Sequence, residues 1–86
     1  MNVIFSSIAW AQYTEWQETD KATVKKINAL IKDISRNGLS KGIGQPEALK
    51  YRKAWSRRIS HSDRLVYNFD ENKNLIIFAC MGHYEN

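Results

Sequence analysis

His83 and Tyr84 close an apolar run, Leu75 to Cys80, and are the residues of this 86-residue chain best placed to handle a proton. Imidazole exchanges protons near neutral pH more readily than any other side chain. A chain end is loose unless tied down. A buried strand from Leu75 to Cys80, extended to His83, would hold the pair where the chain leaves the core. A proton donor needs a base, and Glu47 is the carboxylate that directly precedes a strand, after Gln45-Pro46. With Lys50 and several arginines around it, Glu47 is expected to be ionised and able to accept a proton. Lys50, Arg52 and Lys53 form one basic cluster; Arg57, Arg58 and Arg64 form another.

Arginine carries a fixed, permanently charged fork that grips phosphate oxygens at two points. In a strand alternate residues share a face, so Arg58 groups with Ser56 and Ser60, and Arg57 with Trp55 and Ile59. Only one of the two adjacent arginines faces a common site. In the following strand Arg64 shares a face with Val66, and Leu65 with Tyr67. A base, a proton donor and arginines between them suffice for metal-free RNA cleavage. The base takes the ribose 2′-OH proton, the arginines carry charge on the phosphorane, and the acid protonates the leaving 5′-oxygen. Tyr84 would stack on a base or supply a hydroxyl beside the phosphate. The same residue types also describe a solvated sheet face with surface ion pairs, or a passive RNA-binding surface. His61 falls in a turn and is assigned no role. No Cys/His cluster has metal-ligand spacing, and no glycine-rich phosphate loop precedes a helix, so no cofactor is expected.

The elements that position these residues are legible from periodicity. Asn2 to Phe5 reads as a short strand. Ser6 or Ser7 then caps a helix reaching about Gln17, whose stripe of Ala9, Trp10, Tyr13 and Trp16 is read as core. Partial exposure of those aromatics would instead let two copies pair. Thr19 or Asp20 caps a second helix with apolar Val24, Ile27, Leu30, Ile31 and Ile34, and Asn37-Gly38 ends it. Residues 38–46 form a glycine-rich surface loop. Three strands follow: Ala48–Tyr51 running on towards Trp55–Ser60, then Arg64–Phe69, then Leu75–Cys80. His61-Ser62-Asp63 and Asp70 to Asn74 are the turns between them. The expected layout is α+β, a short N-terminal strand and two helices packed on a mainly antiparallel sheet, in one domain spanning 1–86.

Composition agrees with such a domain. The chain is 43% hydrophobic and 12% aromatic, which excludes a disordered chain. Its net charge of +4 suits an anionic partner. The lone Cys80 permits no internal disulfide and reads as a small core residue. With no basic leader before an apolar run and no membrane-length apolar stretch, a cytoplasmic location is expected.

Several segments, in order along nearly the whole chain, resemble the YoeB/Txe toxins of the RelE superfamily. They are Trp16-Gln17-Glu18-Thr19-Asp20-Lys21, Val24-Lys25-Lys26-Ile27-Asn28, Leu30-Ile31-Lys32-Asp33, Gly44-Gln45-Pro46-Glu47-Ala48-Leu49-Lys50, Trp55-Ser56-Arg57-Arg58-Ile59, Arg64-Leu65-Val66-Tyr67 and His83-Tyr84. The resemblance implies a RelE-like fold related to microbial ribonucleases, and a toxin that enters the ribosomal A site and cuts mRNA. It also implies restraint by a YefM-like antitoxin in a toxin–antitoxin heterocomplex; a homodimer would rest on the first-helix aromatics instead. By resemblance, Glu47 is the general base, Arg64 the transition-state arginine, His83 the general acid and Tyr84 the terminal tyrosine, with Lys50 and Arg58 as supporting phosphate-binding residues. A non-catalytic RNA- or ribosome-binding inhibitor is the alternative. Two features depart from the family pattern. Only Tyr51-Arg52-Lys53-Ala54 separate Lys50 from Trp55, where the family has a longer turn containing glycine, and Glu85-Asn86 follow the tyrosine.

Overall fold

Residues 1–83 are described by the structure, a computed structural model. Tyr84, Glu85 and Asn86 lie outside the described residues.

The chain runs β1 (Val3–Phe5), α1 (Ser7–Thr19), α2 (Lys21–Asn37), β2 (Glu47–Ala48), β3 (Trp55–Arg58), β4 (Arg64–Phe69) and β5 (Leu75–Ala79). The strands form one sheet in the order β1-β5-β4-β3-β2, parallel between β1 and β5 and antiparallel elsewhere. The expected α+β layout is therefore present, with the N-terminal strand joined to the sheet edge.

Local chemistry explains the helix boundaries. The Ser6 hydroxyl accepts from the Ala9 N–H at 3.0 Å and donates to the Phe78 carbonyl at 3.0 Å, capping α1 and tying it to β5. Asp20 caps α2 through the Thr23 N–H and hydroxyl. At the other end the Gly38 N–H donates to the Ile34 carbonyl at 2.8 Å.

Ile27, Leu30 and Ile34 of α2 and Ala9 of α1 are buried against Leu65, Tyr67, Leu75, Ile77 and Cys80 of the sheet. Tyr13 and Trp16 pack partly buried at the margin, but Trp10 departs from the expected core stripe and is 55% exposed. It sits one residue, about 100° of helix turn, past Ala9, and lies over Phe5 and Tyr13 at the rim, with ring centroids 6.0 and 6.2 Å away. A smaller cluster, Ala54, Val66 and Ala79 with Leu49 and Phe78, covers part of the opposite sheet face.

The first sheet hairpin is tighter than its sequence suggests. Instead of continuing to Tyr51, β2 ends at Ala48. With four residues between Lys50 and Trp55 the chain must reverse at once, and it does so through a 3.0 Å bond from the Leu49 N–H to the Ala54 carbonyl. Glu47 consequently lies within β2 rather than ahead of it.

Candidate active site on the open sheet face

The sheet face turned away from the helices collects the basic and acidic residues singled out above. Glu47 in β2 pairs with Ser56 in β3, and Ser56 pairs with Val66 in β4. Paired and alternate residues share a face, so Glu47, Ser56, Arg58 and Arg64 lie together. One guanidinium nitrogen of Arg64 donates to the buried Ser56 hydroxyl at 3.2 Å, which orients Arg64 towards the Glu47 side of the sheet. Arg58 and Arg64 are direct cross-strand partners. Like charges directly opposite one another cost stability. They are also the arrangement that can hold one phosphate between two forks. Glu47 and Arg58 are exposed and Arg64 is half-buried, so a polyanion can reach all three.

Neighbouring Arg57 points the other way, as strand alternation requires. Its side chain is fully buried, and it uses all five N–H groups. The Nε donates to the Tyr67 hydroxyl at 2.8 Å, and the remaining four bonds reach Asp33 and the carbonyls of Gly38, Lys41 and Ile43. Tyr67 in turn donates to the Leu39 carbonyl at 2.7 Å. Arg57 thus replaces water as the partner of the 38–46 loop, whose far end delivers Glu47. The loop is drawn in so closely that a Cβ at Gly42, where φ is 120°, would overlap the Asp33 carboxylate.

Three carboxyls that brace this scaffold sit below the ordinary value of 3.8: Asp33 through its bond from Arg57, Asp20 through Thr23, and Asp70 through the Asn74 N–H. Burial raises the Tyr67 phenol above 10, although Arg57 opposes the shift. Depressed carboxyls contribute stability above their unfolded pKa and lose it as pH falls through the folded one. The raised phenol contributes below pH 10 and loses that contribution as pH rises further. The urea midpoint should therefore hold level across neutral pH, decline below about pH 3.8 and decline again above about pH 10.

The path of the chain towards His83 is set by an irregularity in β5. Leu75 and Ile77 face the helices, and a regular strand would send Ala79 after them. A register shift opposite Val66 and Tyr67 inserts one residue, so Ala79 joins Val66 and Cys80 enters the helix-side core. Cys80 is buried, its thiol pushed up to about 11 by burial and secondarily by Asp63, so it is a packing residue rather than a nucleophile.

The backbone beyond the shift is fastened at two points. The Cys80 N–H donates to Gln12 at 2.7 Å, and its carbonyl accepts from the Trp16 indole at 2.8 Å. The Gly82 N–H donates to the Asp63 carboxylate at 2.8 Å, and its carbonyl accepts from the Arg64 N–H at 3.0 Å. His83, which is exposed, follows immediately.

Glu47, Arg58, Arg64 and the His83 segment are thus brought to neighbouring strands. Three strand spacings, ~14 Å between backbones, separate the Glu47 strand from the segment next to Arg64. Side chains from both sides can narrow that gap around a phosphodiester. Lys50 is exposed in the turn after β2, outside the strand ladder, and Tyr84 lies outside the described residues. The bonds that Gln12, Trp16 and Asp63 make to this segment are not foreseen from sequence. A polar Gln12 inside an apolar helical stripe was the available signal, because a half-buried glutamine needs a partner. Among the described residues no group of three or more His, Cys, Asp or Glu could hold a metal ion, and no helix is long and apolar enough to cross a membrane.

Residues 5–84 match the model of the YoeB-like toxin of bacterial type II toxin–antitoxin systems. The chain belongs to that family. Toxin YoeB of Escherichia coli K12 is 49% identical over 86 residues, covering 98% of this chain and all of that protein. The YoeB dimer of Staphylococcus aureus superposes with a TM-score of 0.91 at 45% identity, over 98% of both chains. The heterotetrameric YoeB–YefM toxin–antitoxin complex of the same organism gives 0.89 at 48%, again over 98% of both. At 17% identity the toxin–antitoxin complex RelBE2 of Mycobacterium tuberculosis shares the fold alone, with a TM-score of 0.68 over 95% of this chain and 96% of that one. The architecture is thus the RelE-like α+β fold expected from sequence, and the chain is a toxin of the YoeB family.

Proposed function

We propose that this toxin is a ribosome-dependent endoribonuclease that cuts mRNA in the A site without a metal ion. The observation that carries the reading is the cross-strand pair Arg58 and Arg64, flanked by the Glu47 strand on one side and the His83 segment on the other. Glu47 removes the proton from a ribose 2′-OH, and that oxygen attacks the adjacent phosphorus. Arg64, held by Ser56, and Arg58 take up the charge that builds on the phosphorane oxygens. His83, protonated, gives its proton to the departing 5′-oxygen. The P–O5′ bond breaks as the P–O2′ bond forms, leaving a 2′,3′-cyclic phosphate and a 5′-hydroxyl. Lys50 adds positive charge along the RNA backbone, and Tyr84 stacks on a base or places its hydroxyl beside the phosphate.

The reaction belongs in the cytoplasm, where ribosomes are. A YefM-like antitoxin is the proposed inhibitor, by analogy with the Staphylococcus aureus assembly, and the basic face suits an acidic or extended segment. Dimerisation is proposed on the same footing, from the solved dimer. Mapping mRNA 5′ ends after inducing the wild-type protein and His83→Ala tests the core of this reading. New ends in phase with ribosomal A sites, confined to wild type, are expected. Equal arrest of translation by both proteins without new ends would mean a toxin that blocks by occupancy.

A further inference from the structure

Gly82 is the residue whose conformation decides where His83 is presented. Its φ is 85°, a region open to glycine, and nothing lies within 4 Å of where a Cβ would be. Backbone conformation rather than close packing is therefore what glycine supplies here. Such a residue can swing unless its polar groups are held. Its carbonyl is held by the Arg64 N–H, a main-chain bond that any residue but proline at position 64 would preserve. Its N–H is held by a side chain, the Asp63 carboxylate.

Asp63 is itself fixed on both sides. Its second carboxylate oxygen accepts from the hydroxyls of Ser60 and Ser62 at 3.1 and 3.4 Å. Its N–H donates to the Ser60 hydroxyl at 3.2 Å, and its carbonyl accepts from the N–H groups of Ile59 and Ser60. One oxygen closes the β3–β4 turn and the other reaches across to the C-terminal segment. The residue after Asp63 is Arg64, so a single dipeptide holds the transition-state arginine and both polar groups of the residue preceding His83.

We infer that Asp63 is a positioning residue for the proposed general acid, fixing the Gly82 backbone so that His83 is presented beside Arg64. This rests on the function proposed above. A proton donor displaced by about 1 Å can lose a hundredfold in rate while substrate binding is unchanged.

The test is single-turnover cleavage of mRNA on programmed ribosomes, with thermal unfolding as the folding control. Asp63→Ala should lower the maximal rate by about 10- to 100-fold, with the half-saturating toxin concentration unchanged within about twofold. Asp63→Asn keeps an acceptor for the Gly82 N–H and should recover most of the rate. Asp63→Glu keeps the charge but moves the acceptor, and should stay impaired. Ser60→Ala removes two bonds that brace Asp63 but leaves the Asp63–Gly82 bond in place, and should cost clearly less than Asp63→Ala. Residues that act as a unit are not additive, so Asp63→Ala should cost little more in a His83→Ala background.

A wild-type rate for Asp63→Ala, an equal loss in Ser60→Ala, or multiplicative losses in the double variant would overturn the inference while leaving the proposed reaction standing. Should Asp63→Ala fail to fold, activity in Asp63→Glu together with inactivity in Asp63→Asn would overturn it, and the reverse would support it. An unimpaired His83→Ala protein would remove the proposed acid, and the positioning role with it.

Discussion

His83→Ala is expected to cut ordinary mRNA about 10²- to 10⁴-fold more slowly than wild type, and to regain most of that loss when sulfur replaces the bridging 5′-oxygen at the scissile position. The reason lies in the leaving group. A departing 5′-alkoxide is a strong base and must be protonated as the bond breaks. A thiol ionises near pH 8.5, as cysteine does, and leaves as a thiolate without that help. Glu47→Gln removes the base on the other side of the phosphate, and sulfur substitution does nothing for the attacking 2′-oxygen. That variant should therefore be slow on both substrates. Equal slowness of His83→Ala on oxygen and sulfur would show that His83 acts on something other than the leaving group. Rescue of both variants would mean that the two assigned roles are not separate steps.

The arginines in this site show what strand alternation can and cannot reveal. From sequence, Arg57 and Arg58 had to point in opposite directions, and Arg64 had to side with Val66; the register agrees on both counts. The Arg64–Phe69 strand was also expected at its observed bounds, because a short run rich in β-branched, aromatic and other apolar residues between two polar turns leaves little choice. Which arginine faces the helices depends on tertiary partners, above all Asp33 and loop carbonyls 14 to 19 residues upstream.

The irregularity in β5 was hidden for a similar reason. Ile77-Phe78-Ala79-Cys80 is apolar at every position, so a one-residue phase shift leaves no trace in hydropathy. That shift nevertheless separates Ala79 from Cys80 and carries the chain on towards His83. Trp10 was misjudged because a stripe one residue wider than the buried face still looks helical. The Gln12, Trp16 and Asp63 bonds were missed because their acceptors and donors are backbone groups, which a sequence does not display.

Arg57→Ala should produce the largest loss of stability of any single change on this sheet, about 3–5 kcal/mol. That is a large share of the ~5–15 kcal/mol typical of a small fold. The loss does not measure the worth of one ion pair. It reflects what is stranded when the guanidinium goes: the Tyr67 hydroxyl loses a donor, the carbonyls of Gly38, Lys41 and Ile43 lose theirs, and the Asp33 carboxylate loses its cation. Arg57→Lys keeps the charge but offers three donors on a mobile stem in place of five in a planar fork. It should fold with a smaller deficit, visible as a lower urea midpoint at unchanged slope. Because the same loop ends at Glu47, Arg57→Lys should also slow cleavage even where the protein is fully folded, through an acceptor displaced from the 2′-OH. A lysine variant with reduced stability and wild-type cleavage would show that the loop can relax without moving the base, and that Arg57 serves the fold alone.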